Sequence, residues 1–377
     1  MKLIYCIAST YNPGGMERVL LNKLRWFIRE GGYNLTVVTT DQQGRPPFYA
    51  FPKEVRMIDL GINYSIDNVR SPIVKIGNYF RKRCLHRRRL SALLKQEKAD
   101  IVISLYPSES SFIPRIKDGS KKVLELHFNK FFRLQYNRHG LLGLADRFRT
   151  WQDENIVRRF DRFVVLTHED AGYWGTLPNL EVIPNAALPH PDTYHDFKSR
   201  RVIAVGRLDY QKGFDRLLNA WNLLPIALRT IWHLDIYGQG EWKEMLQEQI
   251  DSAGMATSAQ IHIPTTDIFE EYATSAFLVM SSHYEGFPMV MVEAMSCGLP
   301  VVTFDYPCGP RDIIRDGENG ILVPEGDIPA LARAMERVMT DDILRTRLGD
   351  SARKVRETFS ETNVMSQWLT CFQQLVS

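Results

Sequence analysis

The chain is 377 residues long, 44% apolar and 24% charged, with a formal net charge of +3. That length exceeds one ordinary hydrophobic core and favours two domains, and the charge is too small to argue for nucleic acid, so no nucleic-acid partner is expected. Cys6, Cys84, Cys297, Cys308 and Cys371 are scattered without C-x-x-C spacing, which excludes a cysteine framework or zinc ribbon as the organising device.

Short β-branched runs alternate with longer amphipathic stretches, the pattern of a parallel sheet covered by helices. Lys2–Ala8 reads as a strand, Gly15–Glu30 as a helix and Leu35–Thr40 as a strand. The first apolar run is too short for a signal peptide, and no run is long enough to span a bilayer. A cytoplasmic location is therefore expected, and the sequons at Asn34 and Asn63 carry little meaning. Between the first strand and helix lies Ser9-Thr-Tyr-Asn-Pro-Gly-Gly15. Gly14 and Gly15 would let backbone approach a phosphate at a positive helix N-terminus. A plain strand-to-helix turn would look the same, and neither G-x-G-x-x-G nor G-K-[ST] is present.

From Asn68 to Gln96 there is no acidic residue, but Arg70, Lys75, Arg81, Lys82, Arg83, Arg87, Arg88, Arg89 and Lys95 are there, interleaved with Phe80, Leu85 and Leu90. The stretch 70–95 reads either as a solvated face or as a basic amphipathic helix making peripheral contact with anionic membrane or with a lipid-phosphate acceptor. Strands follow at Ile101–Leu105, Lys122–Leu126 and Arg162–Thr167, with Leu180–Pro184 the last of the first half. His127 stands at the end of one of them, on the rim of the sheet, as a structural residue or as a contact to a reacting sugar. Asn185 either bridges the domains or caps a turn. Residues 185–200, with Pro189, Pro191 and Asp192, read as a linker.

The pattern then restarts with Arg201–Gly206. The loop Gly206-Arg-Leu-Asp-Tyr-Gln-Lys-Gly213 sets Arg207 and Lys212 five residues apart between glycines. An arginine fork and a lysine point charge can grip a diphosphate from two sides; surface salt bridges would account for them equally. Strands are expected at Thr230–Tyr237, Gln260–Ile263, Phe277–Ser281 and Pro300–Phe304, and helices at Ile328–Met339, Ile343–Glu357 and Glu361–Leu375. Gly238-Gln239-Gly240 lines a nucleotide pocket or simply turns the chain.

Glu285-Gly-Phe-Pro-Met-Val-Met-Val-Glu293 is the most informative segment. From Pro288 to Cys297 only Glu293 and Ser296 are polar, so the helix is buried on every side. A buried carboxylate at Glu293 needs donors, and sugar or ribose hydroxyls would serve. Pro288 suits a first helical position, leaving the N–H groups after Phe287, including that of Met289, to face an anion. Glu285 lies just outside the helix. An anion site flanked by two carboxylates suits a phosphorylated sugar. No Asp-x-Asp occurs in the chain, so no metal is expected; cations and helix dipoles would neutralise the diphosphate. Two doubly wound halves would face each other across a cleft at the carboxyl ends of their strands.

Taken together these residues resemble the retaining glycosyltransferases of family 4, which have the GT-B fold. The resemblance rests on Glu285 with Glu293, the 206–213 loop, Pro13-Gly-Gly-Met-Glu17, Val182-Ile-Pro-Asn185 and Asp316-Gly-Glu-Asn-Gly-Ile-Leu-Val-Pro324. These occur in family order over nearly the whole chain. The resemblance implies an acceptor-side Rossmann-like domain at 1–184, a nucleotide-sugar-binding one at 201–360, and a C-terminal helix, about 361–377, packing back on the first. It implies that Glu293 holds ribose hydroxyls and that Arg207 and Lys212 hold the diphosphate with the Gly15 loop and the amides after Phe287. Glu285 would contact the donor sugar and His127 would lie beside its anomeric centre. Where the family has a glycine two residues past Ile261, this chain has Ile263, which alters the expected base pocket. Cys308-Gly-Pro-Arg-Asp312 resembles the subgroup transferring galactose, glucose or N-acetylhexosamines in surface-glycan assembly. The implied activity is hexosyl transfer from a nucleotide diphosphate sugar, with uracil the expected base, to a glycan or lipid-linked hydroxyl. A sugar-nucleotide epimerase on the same scaffold and a non-catalytic nucleotide-sugar or glycan binder are the alternatives. A nicotinamide dehydrogenase is disfavoured by the missing glycine fingerprint.

Overall fold

A computed structural model describes residues 1–12, 14–69, 72–105, 109–134, 140–187, 198–265 and 267–377. The chain divides into two compact units, Met1–Ile183 with Met365–Ser377, and Pro184–Val364. Most of the linker expected at 185–200, with Pro189, Pro191 and Asp192, lies outside the described residues, as do Pro13 and Arg70.

The first unit is built on seven strands: β1 (Lys2–Ile7), β2 (Asn34–Thr39), β3 (Arg56–Asp59), β4 (Ile101–Ser104), β5 (Lys121–Glu125), β6 (Arg162–Val165) and β7 (Leu180–Val182). They form one sheet in the order β3-β2-β1-β4-β5-β6-β7, and every neighbouring pair is parallel. Continuous apolar runs such as Leu3–Ile7 are buried on both faces, as an interior parallel strand requires. The order reverses between β1 and β4, which marks the switch point where such sheets bind ligands. The helix Gly15–Glu30 buries Leu20, Leu24 and Phe27 and ends at Gly31, whose φ of 74° stops it. Phe27 stacks on Phe372 of the helix Glu361–Val376, ring centroids 6.0 Å apart.

The second unit carries six strands: β8 (Arg201–Val205), β9 (His233–Tyr237), β10 (Ala259–His262), β11 (Phe277–Met280), β12 (Val301–Phe304) and β13 (Gly320–Val323). Their order is β10-β9-β8-β11-β12-β13, again all parallel. The switch point falls between β8 and β11. Both sheets are thus doubly wound α/β sheets with Rossmann-type strand order.

Two local expectations are corrected. The strand expected from Thr230 starts only at His233, because Pro225 opens a short helix at Ile226–Arg229. The single helix expected over Ile343–Glu357 is two, Asp342–Ala352 and Val355–Thr358. Two strands escape periodicity: β3, a mostly exposed edge strand of four residues, and β13, which begins on a glycine.

Candidate active site

The second sheet brings the loops after β8 and β11 into contact at its switch point. Gly213 makes this possible: its φ of 59° is left-handed, and a Cβ there would stand 2.4 Å from the Ser281 carbonyl. His283 N–H donates to the Gln211 carbonyl at 2.8 Å, and Ser281 Oγ donates to the Lys212 carbonyl at 3.1 Å. The Lys212 stem lies over Gly206, where a Cβ would meet it at 3.0 Å. From there Lys212 Nζ reaches Glu285 Oε1 at 2.6 Å. Ser282 Oγ donates to the same oxygen at 2.9 Å and Gln211 Nε2 to Oε2 at 3.1 Å. Both charged side chains are mostly buried, 14% and 8% exposed. The lysine assigned to a diphosphate and the carboxylate assigned to a sugar therefore form one pair spanning the switch point.

Arg207 sits differently. Its side chain is 68% exposed, 3.1 Å from Asp209 and 2.7 Å from Gln211 Oε1, so its charge faces solvent at the rim. Asp209 also caps the short turn Tyr210–Lys212 through the Lys212 N–H. Gly238 follows β9 at the same edge. A Cβ there would lie 2.0 Å from the Gly206 carbonyl, so only glycine lets these two strand ends come together. Ile263, just past β10, is 77% exposed.

Around Glu285 the fold places residues the sequence reading did not single out. Tyr210 stacks on His283 with centroids 4.2 Å apart and planes at 12°. Arg216 approaches His283 Nδ1 at 2.8 Å and Glu325 at 2.9 Å. Burial, and then the Arg216 charge, hold the His283 imidazole below its ordinary pKa, so the ring stays neutral at neutral pH. Burial and the neighbouring Glu285 carboxylate push the Tyr306 phenol well up. His283 stands two residues before Glu285 and Gln211 lies inside the glycine-bounded loop, so position alone was the available signal.

The helix after Glu285 runs Met289–Ser296. Glu293 is 5% exposed within it, as the apolar surroundings predict, and it already holds an interaction inside the protein. Pro288 occupies the cap rather than the first helical turn, with φ −80° and ψ 81°. That is inverse γ-turn geometry, and Met289 N–H donates back to the Phe287 carbonyl at 2.9 Å. The Met289 amide expected to face an anion is thus already engaged. Phe287 is buried edge-on against Phe359, with centroids 5.5 Å apart. Gly309, with φ 131°, lets the loop after β12 close on Pro288, where a Cβ would meet Cδ at 2.4 Å.

In the first unit Gly14 caps the helix Gly15–Glu30, and a Cβ on it would collide with Glu17 Oε2 at 2.1 Å. The helix N-terminus read as a phosphate site is thus already overlain by a carboxylate. Burial raises the Glu17 pKa, partly offset by a bond to backbone. Gly15 has open space where a side chain would be. His127 Nε2 lies 3.1 Å from Glu125 Oε1, and that oxygen is also paired with Lys23, which sits 4.0 Å over the Trp368 ring. Burial would raise the Glu125 carboxyl, but Lys23 and His127 hold it down to about 2. The His127 side chain is only 6% exposed. Asn185 is buried, and its Oδ1 has no hydrogen-bond partner among the described residues.

The basic stretch forms the helix Pro72–Glu97. Leu90 and Leu94 are fully buried in the first unit's core, and Leu85 packs against it. Lys82 pairs with Asp67 at 2.6 Å, and Arg89 donates to the Leu60 carbonyl. Of the three interleaved apolar residues only Phe80 is exposed, at 59%. Leu85 and Leu90, two of the three apolar residues expected to meet lipid, therefore serve the core. Among the described residues no helix is long and apolar enough to cross a membrane, and no three His, Cys, Asp or Glu residues cluster as metal ligands.

Two family models cover these units. The model for glycosyl transferases group 1 matches residues 191–355, and that for glycosyltransferase family 4 matches residues 13–187. The amylovoran biosynthesis glycosyltransferase AmsD of Erwinia amylovora is 33% identical over 218 residues, 55% of this chain and 61% of that protein. A Campylobacter jejuni enzyme named as adding α-1,4-N-acetyl-D-galactosamine to a diphospho-undecaprenol-linked glycan is 24% identical over 98% of this chain and 97% of its own. Among solved structures, an S. aureus TarM variant with fondaparinux, α-GlcNAc-glycerol and UDP superposes with a TM-score of 0.78 at 17% identity, covering 98% of this chain and 99% of that one. With two parallel switch-point sheets and both family models in agreement, the chain belongs to the family 4 glycosyltransferases and has their GT-B fold.

Proposed function

We propose that the chain transfers a hexose or N-acetylhexosamine from a UDP-sugar to a hydroxyl of a glycan or lipid-linked acceptor, with retained configuration and without a metal ion. The setting would be surface-glycan assembly at the cytoplasmic side of a membrane. The observation that carries this reading is the Lys212–Glu285 pair at 2.6 Å, held by two loops at the switch point of the second sheet. UDP is present in the TarM structure, and the Campylobacter relative acts on a diphospho-lipid glycan; both support the donor and acceptor classes.

The chemistry follows from charge. Cleaving the anomeric bond builds negative charge on the leaving β-phosphate. Lys212 is preorganised by Glu285, Ser282 and the Gly206 platform, so its ammonium need not reorganise when that charge appears. Glu285 keeps the cation in place until the donor binds and accepts a sugar hydroxyl once the diphosphate shares Lys212. Arg207 at the exposed rim supplies a second cation. The acceptor hydroxyl attacks on the leaving-group face and passes its proton to the phosphate oxygen, so no protein nucleophile is needed. The Glu285 and Glu293 pair is not a glycosidase dyad, because Glu293 is buried in an apolar helix. In this reading the Asn185 Oδ1, Gly238, Ile263 and Phe287 of the second unit line the donor pocket. Incubation of the purified chain with UDP-hexoses tests the proposal. UDP release that depends on an added glycan acceptor is expected; isomerised sugar nucleotide without acceptor would instead mean an epimerase.

A further inference from the structure

The first unit holds a second feature, remote in sequence from the switch-point glycines. A cavity of about 830 Å³ is walled by the helix Pro72–Glu97, the segment after β4, the segment after β5 and the helix Gly140–Val157 with the residues that follow it. Five arginines line it, Arg83, Arg115, Arg133, Arg149 and Arg159, against one carboxylate, Asp153. Asp153 is spent on Arg133, and Arg83 donates to Ser111 Oγ at 2.8 Å. Among the described residues Arg115, Arg149 and Arg159 form no ion pair.

Aromatic rings share the same walls. Phe128 and Phe132 stack with centroids 5.2 Å apart, and the Arg133 guanidinium lies 4.5 Å over Phe132. Phe128 is 43% and Trp151 58% exposed. Like charges gathered around one concavity repel one another, and the Phe128 and Trp151 rings beside them, though each packs against a neighbouring ring, keep much of their surface exposed. An anion with apolar faces would relieve the repulsion and cover the rings. Guanidinium forks match phosphate oxygens in paired hydrogen bonds, and flat rings suit the C–H faces of sugars.

We infer that this cavity binds the phosphate-bearing part of the acceptor, a phosphodiester or pyrophosphate joined to a glycan. Arg115, Arg149 and Arg159 take the phosphate oxygens, and Phe128, Phe132 and Trp151 take the adjoining sugar. Naming the ligand an acceptor rests on the glycosyl-transfer reading; the anion binding itself does not. The shared chemistry has two sources, the headgroup of a polyisoprenyl diphosphate or a soluble polyol-phosphate chain.

The test uses the full chain with UDP in excess, so that the donor site is occupied. Sodium pyrophosphate is titrated calorimetrically into wild type and into a variant carrying Arg115→Gln, Arg149→Gln and Arg159→Gln. All three side chains are exposed, and the single Arg149→Gln variant is a fallback should the triple variant misfold. Expected are saturable binding by wild type that weakens as salt rises, and at least tenfold weaker binding by the triple variant with UDP affinity unchanged. Flotation with phosphatidylcholine vesicles containing a polyisoprenyl diphosphate, and competition by oligo(glycerol phosphate), separate the two sources; success in either arm that is lost in the variant supports the inference. No binding of pyrophosphate, or equal binding by wild type and both variants, overturns it. Failure of UDP to bind wild type would strike the donor reading alone.

Discussion

Lys212→Ala separates the structural from the chemical role of the switch-point pair. In the native site Glu285 accepts from Lys212 at 2.6 Å, Ser282 at 2.9 Å and Gln211 at 3.1 Å, among its interactions. Removing one partner of a fully buried ion pair costs about 3–5 kcal/mol. Here the Ser282 and Gln211 donors remain and the lysine is 14% exposed, so the expected cost is lower, about 1–3 kcal/mol. For a unit of this size that lowers the melting temperature by roughly 2–12 °C. The double variant Lys212→Ala with Glu285→Gln removes the stranded carboxylate and regains part of that loss, giving a coupling of about 0.5–3 kcal/mol. Activity behaves otherwise. Loss of a preorganised charge at the leaving group lowers turnover by about 100- to 1,000-fold, and the double variant does not recover it. Calorimetry gives the first quantity and UDP release the second. Turnover within about threefold of wild type, or a coupling no larger than the usual additivity error of about 0.3–0.5 kcal/mol, refutes the reasoning.

Gly213→Ala should cost about 1–3 kcal/mol from left-handed backbone strain, and more from the Ser281 carbonyl at 2.4 Å; a melting temperature within about 1 °C of wild type on a thermal scan contradicts it. Glu125→Gln strands Lys23 and weakens the hold on His127. The Glu125 pKa is depressed to about 2, so its contribution is present above the ordinary carboxylate range and lost as pH falls through about 2. The stability gap between wild type and variant, measured by urea unfolding, should therefore narrow on acidification; a constant gap sinks the assignment. Glu109 is the opposite case. Burial lifts its carboxyl to about 7, against weaker help from backbone and from Ser104. Native protein then binds the extra proton between about pH 4.5 and 7, and stability falls as pH rises through that window. Glu109→Gln should flatten this slope, and an unchanged pH profile rules it out.

Much of the architecture could be read from the chain. Interior parallel strands are apolar on both faces, so Leu3–Ile7 and Phe277–Met280 announced themselves. The helix Gly15–Glu30 was bounded by its glycines. A four-residue strand that is mostly exposed carries no such signal, which is why Arg56–Asp59 passed unnoticed. In the site, residue types were readable but partners were not. Lys212 and Glu285 lie 73 residues apart, and only the sheet's strand order makes them neighbours. The inverse γ-turn that diverts the Met289 amide depends on the ψ of Pro288, which no residue type dictates. The arginine cavity gathers side chains from four segments between Tyr79 and Arg159; along the sequence those charges look like solvated faces.

A structure of the chain with UDP bound tests the central claim most directly. The account predicts a diphosphate oxygen within about 3 Å of Lys212 Nζ, Arg207 swung in from the rim, and ribose hydroxyls at Glu293. UDP held elsewhere, with Lys212 and Glu285 still bonded only to each other and their protein neighbours, contradicts it.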